Sequence, residues 1–500
     1  MEPEFMGAEY SRRESSSQNG PSHAPKMEQE SRVHLVIKTA AIIDKMRHEG
    51  IPGEVIDAFV NLFGKVERDS ASRIPESAIL PVSGRELRDY SQLEQYRAAG
   101  MAALSKTAVI KLNGGMGTTM GLHEPKSLIE AKNGLSFLDI TIRQILYLRD
   151  HGVPGMPLLL MNSFFTDAAI RRVIAAVSGL PPDVGQSFTQ HKYPKLLPDS
   201  LEPVSRLHEP ALEWNPAGHG DLFLSLHVSG ILEQLRSKGV EFLFVSNIDN
   251  LGATIDPLIL GYMAGERLDF LMEVTNRTIM DRKGGHLARL KNGRLALREA
   301  AQCAGNDADS FSDITRHSFF NTNNIWICLD SISEFIAGKK YLDLPPVISR
   351  KKLIPEDPDS PSVLHIESAL GSAISLFKNS SAIRVPRTRF APVKHCDDLV
   401  LVWSDYYILS PDFTLAINPA RQSGPISITL DSRYYSRLDL LKSRFPCGVP
   451  SLADCTSLTI TGDVRFGCST AIRGAVSITN KNAAQAFIED NADISTDRRL

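Results

Sequence analysis

Apolar residues first recur at helical spacing near the start of the chain, between residues 33 and 66. Two stripes share this spacing: Val36, Ala40, Ile43 and Met46, then Val55, Phe59, Val60 and Phe63. Gly50-Ile-Pro-Gly53 separates them, and glycine and proline are strong helix breakers. The pattern predicts a helical hairpin, and nothing in it indicates chemistry.

From about residue 105, short apolar runs alternate with amphipathic stretches. Five runs have the length and composition of buried strands, at 107–112, 157–161, 241–246, 270–274 and 324–328. Ser136-Phe-Leu-Asp139 fits a capping box ahead of an amphipathic helix. Strands that alternate with helices predict a mostly parallel sheet covered on both faces. In such sheets, ligands bind beyond the carboxyl ends of the strands.

The last part of the chain has a different period. Two sets of mostly apolar positions recur every six residues: Leu458, Val464, Thr470 and Val476, and Ile460, Phe466, Ile472 and Ile478. A six-residue period is typical of a parallel β-helix, in which each coil buries its apolar positions against the next. A small antiparallel sheet with coincidental spacing is the alternative.

Composition excludes several classes of protein. The chain has 500 residues, enough for two to four domains, and is 42% hydrophobic and 23% charged, as soluble globular proteins are. A net charge of −3 gives no basic field for nucleic acid, and no apolar run reaches the ~20 residues that span a bilayer. The six cysteines form no Cys-x-x-Cys pair, which disfavours zinc and favours free thiols in a reducing compartment.

The two ends of the sequence bear on its location. The first 31 residues are polar and lack the apolar segment of a signal peptide, and we expect them to be disordered. Arg498-Arg-Leu500 is only weakly similar to the Ser-Lys-Leu peroxisomal signal. These features favour a cytoplasmic location, with a peroxisome-like organelle as the weaker alternative.

A glycine-rich loop follows the strand predicted at 107–112. It reads Asn113-Gly-Gly-Met-Gly-Thr-Thr-Met-Gly121, and Pro125-Lys126 comes shortly after it. Glycine lets main-chain amides approach a ligand closely, and lysine neutralises phosphate as a compact charge. The loop matches neither the Walker A motif nor the Rossmann fingerprint. It predicts a phosphate site, and a surface turn rich in small residues is the alternative.

Polar residues at two other places are candidates for the same site. Asn247-Ile-Asp249 follows the strand at 241–246, where a carboxylate could hold Mg²⁺, and an Asx-turn is the alternative. Gly218-His-Gly-Asp221 precedes a helical stretch at 222–235. Flanking glycines would let a ligand approach His219, while Asp221 could simply cap the helix.

Two further segments carry weaker signals. Asn321-Thr-Asn-Asn324 places amide side chains ahead of a strand, where they could bind sugar hydroxyls or form a polar turn. Lys394 lies in a basic stretch with Arg387 and Arg389, and such stretches are usually solvated.

Taken in order, seven segments resemble those of the eukaryotic UDP-glucose pyrophosphorylases, the UTP–glucose-1-phosphate uridylyltransferases. They are Leu112–Gly121 with Pro125-Lys126, Gln190 with Tyr193-Pro194, Pro216–Asp221, Asn247–Gly252, Lys283–Gly285, Phe320–Trp326 and Phe390–Lys394. The resemblance covers roughly residues 33–480.

The resemblance implies an α/β fold with three parts. These are a helical N-terminal region, a Rossmann-like nucleotidyltransferase sheet and a C-terminal left-handed parallel β-helix. With the patterns above, it predicts a disordered tail (1–32), a helical region (33–104), a catalytic domain (105–400) and a β-helix domain (401–500).

The resemblance also implies an activity and a set of site residues. UMP would pass from UTP to glucose 1-phosphate in a reversible reaction that needs Mg²⁺ and yields UDP-glucose and pyrophosphate. Substrate-binding residues would be Leu112, Asn113, Gly114, Gly115, Met116, Gln190, Gly218, His219, Asn247, Gly285 and Asn323. Asp249 would bind Mg²⁺, and Lys126 and Lys394 would be the catalytic residues that bind the phosphates.

One departure from related enzymes narrows the range of enzymes that the chain resembles. General sugar nucleotidyltransferases carry an arginine inside the glycine loop, where this chain has Thr118-Thr119-Met120. This argues against enzymes for UDP-N-acetylhexosamine and for ADP- or dTDP-glucose. The chain is shorter after Thr479 than in oligomeric relatives, which favours a monomer, with a dimer as the alternative. A UDP-sugar pyrophosphorylase of broader specificity and a non-catalytic UDP-glucose sensor are the rival functions.

Overall fold

The computed structural model describes residues 38–68, 73–206, 208–354, 357 and 359–500. The tail predicted at 1–32 and Val36 of the first helical stripe lie outside the described residues. Within them, no helix is long and apolar enough to cross a membrane.

Helices lie on both sides of a central sheet. The α-helices are α1 (38–48 of the described residues), α2 (Gly53–Glu67), α3 (Arg97–Ala103), α4 (Phe137–Asp150), α5 (Asp167–Ala175), α6 (Leu222–Val228), α7 (Ile231–Ser237), α8 (Pro257–Gly265), α9 (Ala308–Ser312), α10 (Leu329–Lys339), α11 (Cys396–Trp403), α12 (Ser432–Tyr435) and α13 (Leu438–Arg444).

The strands are numbered in the same way. Up to the fourteenth they are β1 (Ile79–Pro81), β2 (Arg88–Asp89), β3 (Thr107–Asn113), β4 (Glu130–Lys132), β5 (Leu135–Ser136), β6 (Leu158–Asn162), β7 (Val184–Thr189), β8 (Lys192–Pro194), β9 (Trp214–Pro216), β10 (Phe242–Asn247), β11 (Phe270–Asn276), β12 (His286–Leu290), β13 (Leu295–Arg298) and β14 (Phe319–Cys328). The rest are β15 (Pro346–Lys352), β16 (Ser362–Ser368), β17 (Ser380–Arg384), β18 (Tyr407–Leu409), β19 (Leu415–Ile417), β20 (Ser427–Leu430), β21 (Cys455–Thr461), β22 (Val464–Phe466), β23 (Ala471–Ile472), β24 (Gly474–Thr479), β25 (Ala486–Ile488), β26 (Asp493–Ile494) and β27 (Arg498–Arg499).

The central sheet is mixed, and parallel pairs predominate along its main path of described strands. Its strand order is β2-β17-β11-β14-β10-β3-β6-β7, and β1, β12 and β13 extend it beside β14. Only β14 runs antiparallel to its neighbours β10 and β11 along that path of described strands. All five predicted strands are present, so the α/β prediction is confirmed, although the run at 324–328 is the end of a ten-residue strand.

The position of strand β3 between two cores explains why its sequence is almost continuously apolar. Ala108 and Ile110 enter a core formed with α6, α7 and α10, and Val109 enters a second core with α4 and α8. Both faces of the sheet are therefore covered, as in other parallel sheets. Helix α4 begins at the predicted capping box, in which the Asp139 amide donates to Ser136 Oγ at 3.1 Å.

The region predicted as helical at 33–104 is only partly so. Helices α1 and α2 form the expected hairpin, and Gly50 makes the turn with φ of 73°. Strands β1 and β2, however, pair with β12 and β17 of the central sheet. They have three and two residues, too short to show the alternation that identifies a strand.

The C-terminal region contains stacked parallel coils, which confirms the six-residue period and contradicts the antiparallel alternative. Strands β20, β21, β24 and β27 form one face, β22 and β25 a second, and β23 and β26 a third. Ile460 stacks on Ile478, and Phe466 stacks on Ile488. These side chains are buried, at no more than 1% exposed.

The prediction of free thiols is wrong for one pair of cysteines. Cys447, which follows α13, forms a disulfide with Cys468 in the turn between β22 and β23. The other four cysteines, Cys303, Cys328, Cys396 and Cys455, are free. Coiling of the chain brings together two cysteines that are 21 residues apart, and their spacing in the sequence gives no sign of it.

Candidate active site

The glycine loop folds back on itself as a closed turn. The Gly117 amide donates to the Glu124 carbonyl at 3.1 Å, and the Lys126 amide donates to the Gly115 carbonyl at 3.1 Å. Gly121 turns the chain with φ of 72°, a region that glycine enters without strain. The loop therefore brings Lys126 back beside the end of β3.

Gly114 lies against the side chain of Gln190. A Cβ at Gly114 would stand 2.2 Å from Gln190 Nε2, so any larger residue would displace that amide. Gln190 Oε1 in turn accepts a hydrogen bond from the Gly218 amide at 3.1 Å. Three residues that the resemblance assigned to substrate binding thus lie in one line of contacts.

Under the activity that the resemblance implies, replacing Gly114 with alanine is expected to raise the KM for UTP about tenfold, because the new Cβ displaces Gln190 and breaks its bond to Gly218. Steady-state kinetics with UTP as the varied substrate measures this. Gly305→Ala is the matched control, since a Cβ there meets no atom within 4 Å. An unchanged KM in Gly114→Ala would contradict the nucleotide role of this contact.

Lys126 and Asp249 form an ion pair, with 2.6 Å between Nζ and Oδ2. Their side chains are only 15% and 16% exposed. The pair forms because β3 and β10 are parallel neighbours whose carboxyl ends meet, with Leu112 opposite Asn247. The sequence suggested separate roles for the two residues and gave no sign that they touch.

A β-bulge carries the asparagine cluster, which lies inside β14 rather than ahead of a strand as predicted. The register of β11 against β14 shifts at this point, and Asn323 has φ of 58°, which asparagine tolerates. Asn323 Nδ2 donates to Asn247 Oδ1 at 2.9 Å. The Asn321 amide donates to the Gly285 carbonyl at 3.2 Å. Asn247, Gly285 and Asn323 therefore meet at one place.

The ring of His219 is held as a neutral hydrogen-bond donor. Its Nδ1 accepts from the Leu370 amide at 2.9 Å, so the ring proton is on Nε2. Burial lowers the pKa of His219, and the Glu367 carboxylate opposes this only in part. A neutral imidazole with Nε2–H can donate to a phosphate oxygen without competing for protons near pH 7.

Asp221 does not cap the following helix with its side chain, contrary to the alternative drawn from the sequence. It accepts instead from the His191 amide at 2.7 Å and lies 2.9 Å from His191 Nδ1. Burial alone would lower the pKa of His191, but the charge and hydrogen bond of Asp221 raise it. The predicted helix at 222–235 is also broken, at Gly230 with φ of 73°.

Lys394 lies near Phe320, the residue that directly precedes the asparagine cluster. Its Nζ is 5.8 Å from the centre of the Phe320 ring, and its carbonyl accepts from Thr119 Oγ1 at 3.4 Å. Burial raises the pKa of the nearby Glu299 carboxyl, and the Lys394 charge acts in the opposite direction. A Cβ at Gly285 would stand 2.6 Å from that carboxyl. Glu299 is a neighbour that the sequence did not indicate.

The residues around Asp249 suit a metal ion whose ligands come mainly from a bound substrate. Among the described residues, no three His, Cys, Asp or Glu side chains gather to hold an ion. Asp249 is a single carboxylate, and a cation, the Lys126 ammonium group, already lies on it. Mg²⁺ is commonly bound by one or two carboxylates with substrate phosphates and water, so this set suits it.

Sheet, glycine loop and lysine–carboxylate pair together define an α/β protein with a site for phosphorylated ligands. A family model described as UTP–glucose-1-phosphate uridylyltransferase matches residues 56–473. The chain belongs to this family, which confirms the resemblance found in the sequence.

Individual relatives agree with the family model. The UTP–glucose-1-phosphate uridylyltransferase of Saccharomyces cerevisiae is 39% identical over 426 residues, which cover 85% of this chain and 84% of that protein. The Solanum tuberosum protein of the same name is 37% identical over 444 residues, 87% of this chain and 91% of that protein. A mutant of the Leishmania major UDP-glucose pyrophosphorylase in complex with UDP-glucose superposes with a TM-score of 0.87 at 39% identity, covering 93% of this chain and 99% of that chain.

Proposed function

We propose that the chain transfers UMP from UTP to glucose 1-phosphate, forming UDP-glucose and releasing pyrophosphate. The observation that carries this assignment is the meeting of predicted nucleotide, sugar and phosphate residues at one edge of the sheet. Val393 N lies 3.3 Å from the Asp249 carbonyl, so the segment with Lys394 borders the metal-binding candidate directly.

One half of this edge is suited to UTP. Leu112, Asn113, Gly114, Gly115 and Met116 supply a strand end and loop whose main-chain amides would cradle the phosphate chain. Gln190 and the Gly218 backbone would contact the uracil edge: Gln190 Nε2 offers a donor, and the Gly218 amide holds the Gln190 side chain through Oε1. The side chain of Asn113 is 1% exposed, and its Oδ1 has no partner among the described residues, so it holds an acceptor ready for a ligand.

The other half is suited to glucose 1-phosphate. Asn247, Gly285 and Asn323 offer amide and main-chain groups to sugar hydroxyls, and His219 Nε2–H offers a donor to the phosphate. Asn323 is 9% exposed and its Oδ1 also has no partner in the described part of the chain. An acceptor without a partner is costly to bury and is satisfied when a hydroxyl binds.

The chemistry needs no nucleophile from the protein, because a phosphate oxygen of glucose 1-phosphate attacks the α-phosphorus of UTP. Two polyanions must approach, so catalysis rests on positioning and charge neutralisation. Lys394 would stabilise charge on the α-phosphoryl group. Lys126 would favour departure of pyrophosphate.

Asp249 would hold Mg²⁺, the cofactor that we propose for this site. When bound, the ion would neutralise phosphate charge and align the reacting groups. Asp249 would hold the ion with its carboxylate, and Lys126, which pairs with that carboxylate, would supply its charge to the phosphates.

Four further features of the molecule also belong to our proposal. They are the left-handed sense of the C-terminal coils, the division at residues 32, 104 and 400, a monomeric state with a dimer as alternative, and a cytoplasmic location. Size-exclusion chromatography with light scattering tests the oligomeric state directly.

One assay separates the proposal from its rivals. Pyrophosphate release from UTP is measured with glucose 1-phosphate, galactose 1-phosphate and N-acetylglucosamine 1-phosphate. We expect release with the glucose compound and much slower release with the other two. Similar rates with several sugars would favour the broader UDP-sugar pyrophosphorylase, and no release with any sugar would favour the sensor.

A further inference from the structure

A cavity of about 110 Å³ lies on the face of the sheet that carries α4. Strands β3 and β10 form its floor with Lys111 and Phe244, α4 forms one wall, and residues 253–255 form another. Asp412 and Thr414, in the turn between β18 and β19, border it on the C-terminal side. We refer to it as the α4 cavity.

A buried lysine lies in the floor of the α4 cavity. Lys111 is 3% exposed, and its Nζ donates to Ser246 Oγ at 2.9 Å and to the Ala253 carbonyl at 2.8 Å. An ammonium group has three N–H donors, so one is left over. No carboxylate forms an ion pair with Lys111 in the part of the chain that the structure describes. Burial, with a smaller contribution from Arg389, lowers the pKa of Lys111 to about 7.

A second buried polar group lines the same space without a partner. Thr141 of α4 is 1% exposed, and its Oγ1 makes no hydrogen bond to any described residue. Neighbouring polar groups are engaged elsewhere: Gln144 Nε2 donates to the Phe413 carbonyl, and the Asp412 carboxylate accepts from the Thr414 amide. Lys111 and Thr141 therefore supply two donors that the protein itself does not use.

The rest of the lining is part polar, with Tyr147 and Thr254, and part apolar, and it limits both the size and the charge of an occupant. Val109, Ile145, Leu148 and Phe244 supply aliphatic and aromatic surface. An engineered cavity of about 150 Å³ holds benzene, so this one suits about four to six non-hydrogen atoms. The Asp412 carboxylate at the border repels any anion, and it repels a dianion such as phosphate about twice as strongly as a monoanion, so a single charge is preferred.

We propose that the α4 cavity binds a small aliphatic monocarboxylate. Its carboxylate accepts from the free N–H of Lys111 and from the Thr141 hydroxyl, and its short alkyl chain packs against Phe244 and Ile145. A single negative charge compensates the buried ammonium, and the alkyl chain fills the apolar part. The site is separate from the glycine loop, so it does not depend on the function proposed above.

Sodium propionate is the probe, and isothermal titration calorimetry at pH 6, where Lys111 carries its proton, is the measurement. We expect the full-length protein to bind propionate with a Kd on the order of 1 mM, the range open to so small a ligand. Saturating UDP-glucose should not displace it, because the two sites differ. Propionamide, which has the same shape without the charge, should bind at least about tenfold more weakly.

Two variants locate the site. Thr141→Val keeps the shape and removes the hydroxyl, and Lys111→Met removes the ammonium group, so each should weaken propionate binding about tenfold or more. Thr461→Val, at an exposed position of β21, is the matched control and should bind as the unchanged protein does. Circular dichroism checks that each variant folds. If Lys111→Met does not fold, the result for Thr141→Val decides the test.

Four results would overturn the proposal. They are absence of propionate binding, equal binding of propionamide, displacement of propionate by UDP-glucose, and unchanged affinity in a folded Thr141→Val protein. Tighter binding of inorganic phosphate than of propionate would overturn the assigned ligand class.

Discussion

Lys394→Ala is expected to keep the fold and to lower kcat by about 10²–10³-fold, the loss typical of removing one donor to a transition state. Lys394 is exposed, and its described side-chain contact is with the Phe320 ring. Its removal takes away the charge that opposes the rise in the pKa of the buried Glu299 carboxyl, which can then stay protonated. Lys394 would stabilise the charge that develops on the α-phosphoryl group. Steady-state kinetics gives kcat, and thermal unfolding verifies the fold.

Lys481→Ala is the matched control for that experiment. Lys481 is an exposed lysine beside the C-terminal coils and has no place in the proposed site. Its replacement should leave kcat unchanged. Near-normal turnover in Lys394→Ala, with the control also normal, would remove Lys394 from the mechanism.

Asp249→Ala is expected to abolish Mg²⁺-dependent activity. Asp249 is the carboxylate that would hold the ion, and the site offers no described carboxyl cluster in its place. Activity is titrated against Mg²⁺ at fixed UTP and glucose 1-phosphate. The unchanged protein should show a saturating rise, and the variant should show a residual rate that does not respond to the metal.

The control for Asp249→Ala must also remove a paired carboxylate. Asp454→Ala does so, because Asp454 pairs with Arg473 on the surface of the C-terminal coils. It should leave the Mg²⁺ titration unchanged, since an exposed ion pair contributes little to stability. An Asp249→Ala protein with the same Mg²⁺ curve as the unchanged protein would refute the metal role.

Sequence periodicity predicted the fold well where a pattern extends over many residues. Strand β3 is buried on both faces and has an almost continuously apolar sequence. The coils bury two positions in every six along β21 to β24. Strands β1 and β2 escaped prediction because three and two residues carry no period. Their place in the sheet depends on β12 and β17, which are distant in sequence.

The candidate site was predictable as a set of residues but not as a set of contacts. Motif order indicated Lys126, Asp249, Asn247 and Asn323, yet a linear motif contains no information on which side chains touch. The ion pair of Lys126 with Asp249 arises from strand adjacency, and the contact of Asn247 with Asn323 arises from a bulge.

Two other side-chain contacts could not be predicted from the local sequence. Asp221 stands where a helix cap is expected, but His191, 30 residues earlier, takes its carboxylate. Cys447 and Cys468 meet only because the chain coils. In each case a tertiary contact overrides the local preference of the residue.

The central claim is direct transfer between two substrates with no covalent protein intermediate. The most direct measurement uses a single diastereomer of UTP that carries sulfur on its α-phosphorus, with glucose 1-phosphate as the acceptor. The account predicts one UDP-glucose diastereomer with inverted configuration at that phosphorus, because a single in-line displacement inverts it. Retention of configuration, or uridylylated protein after incubation with UTP alone, would contradict the account.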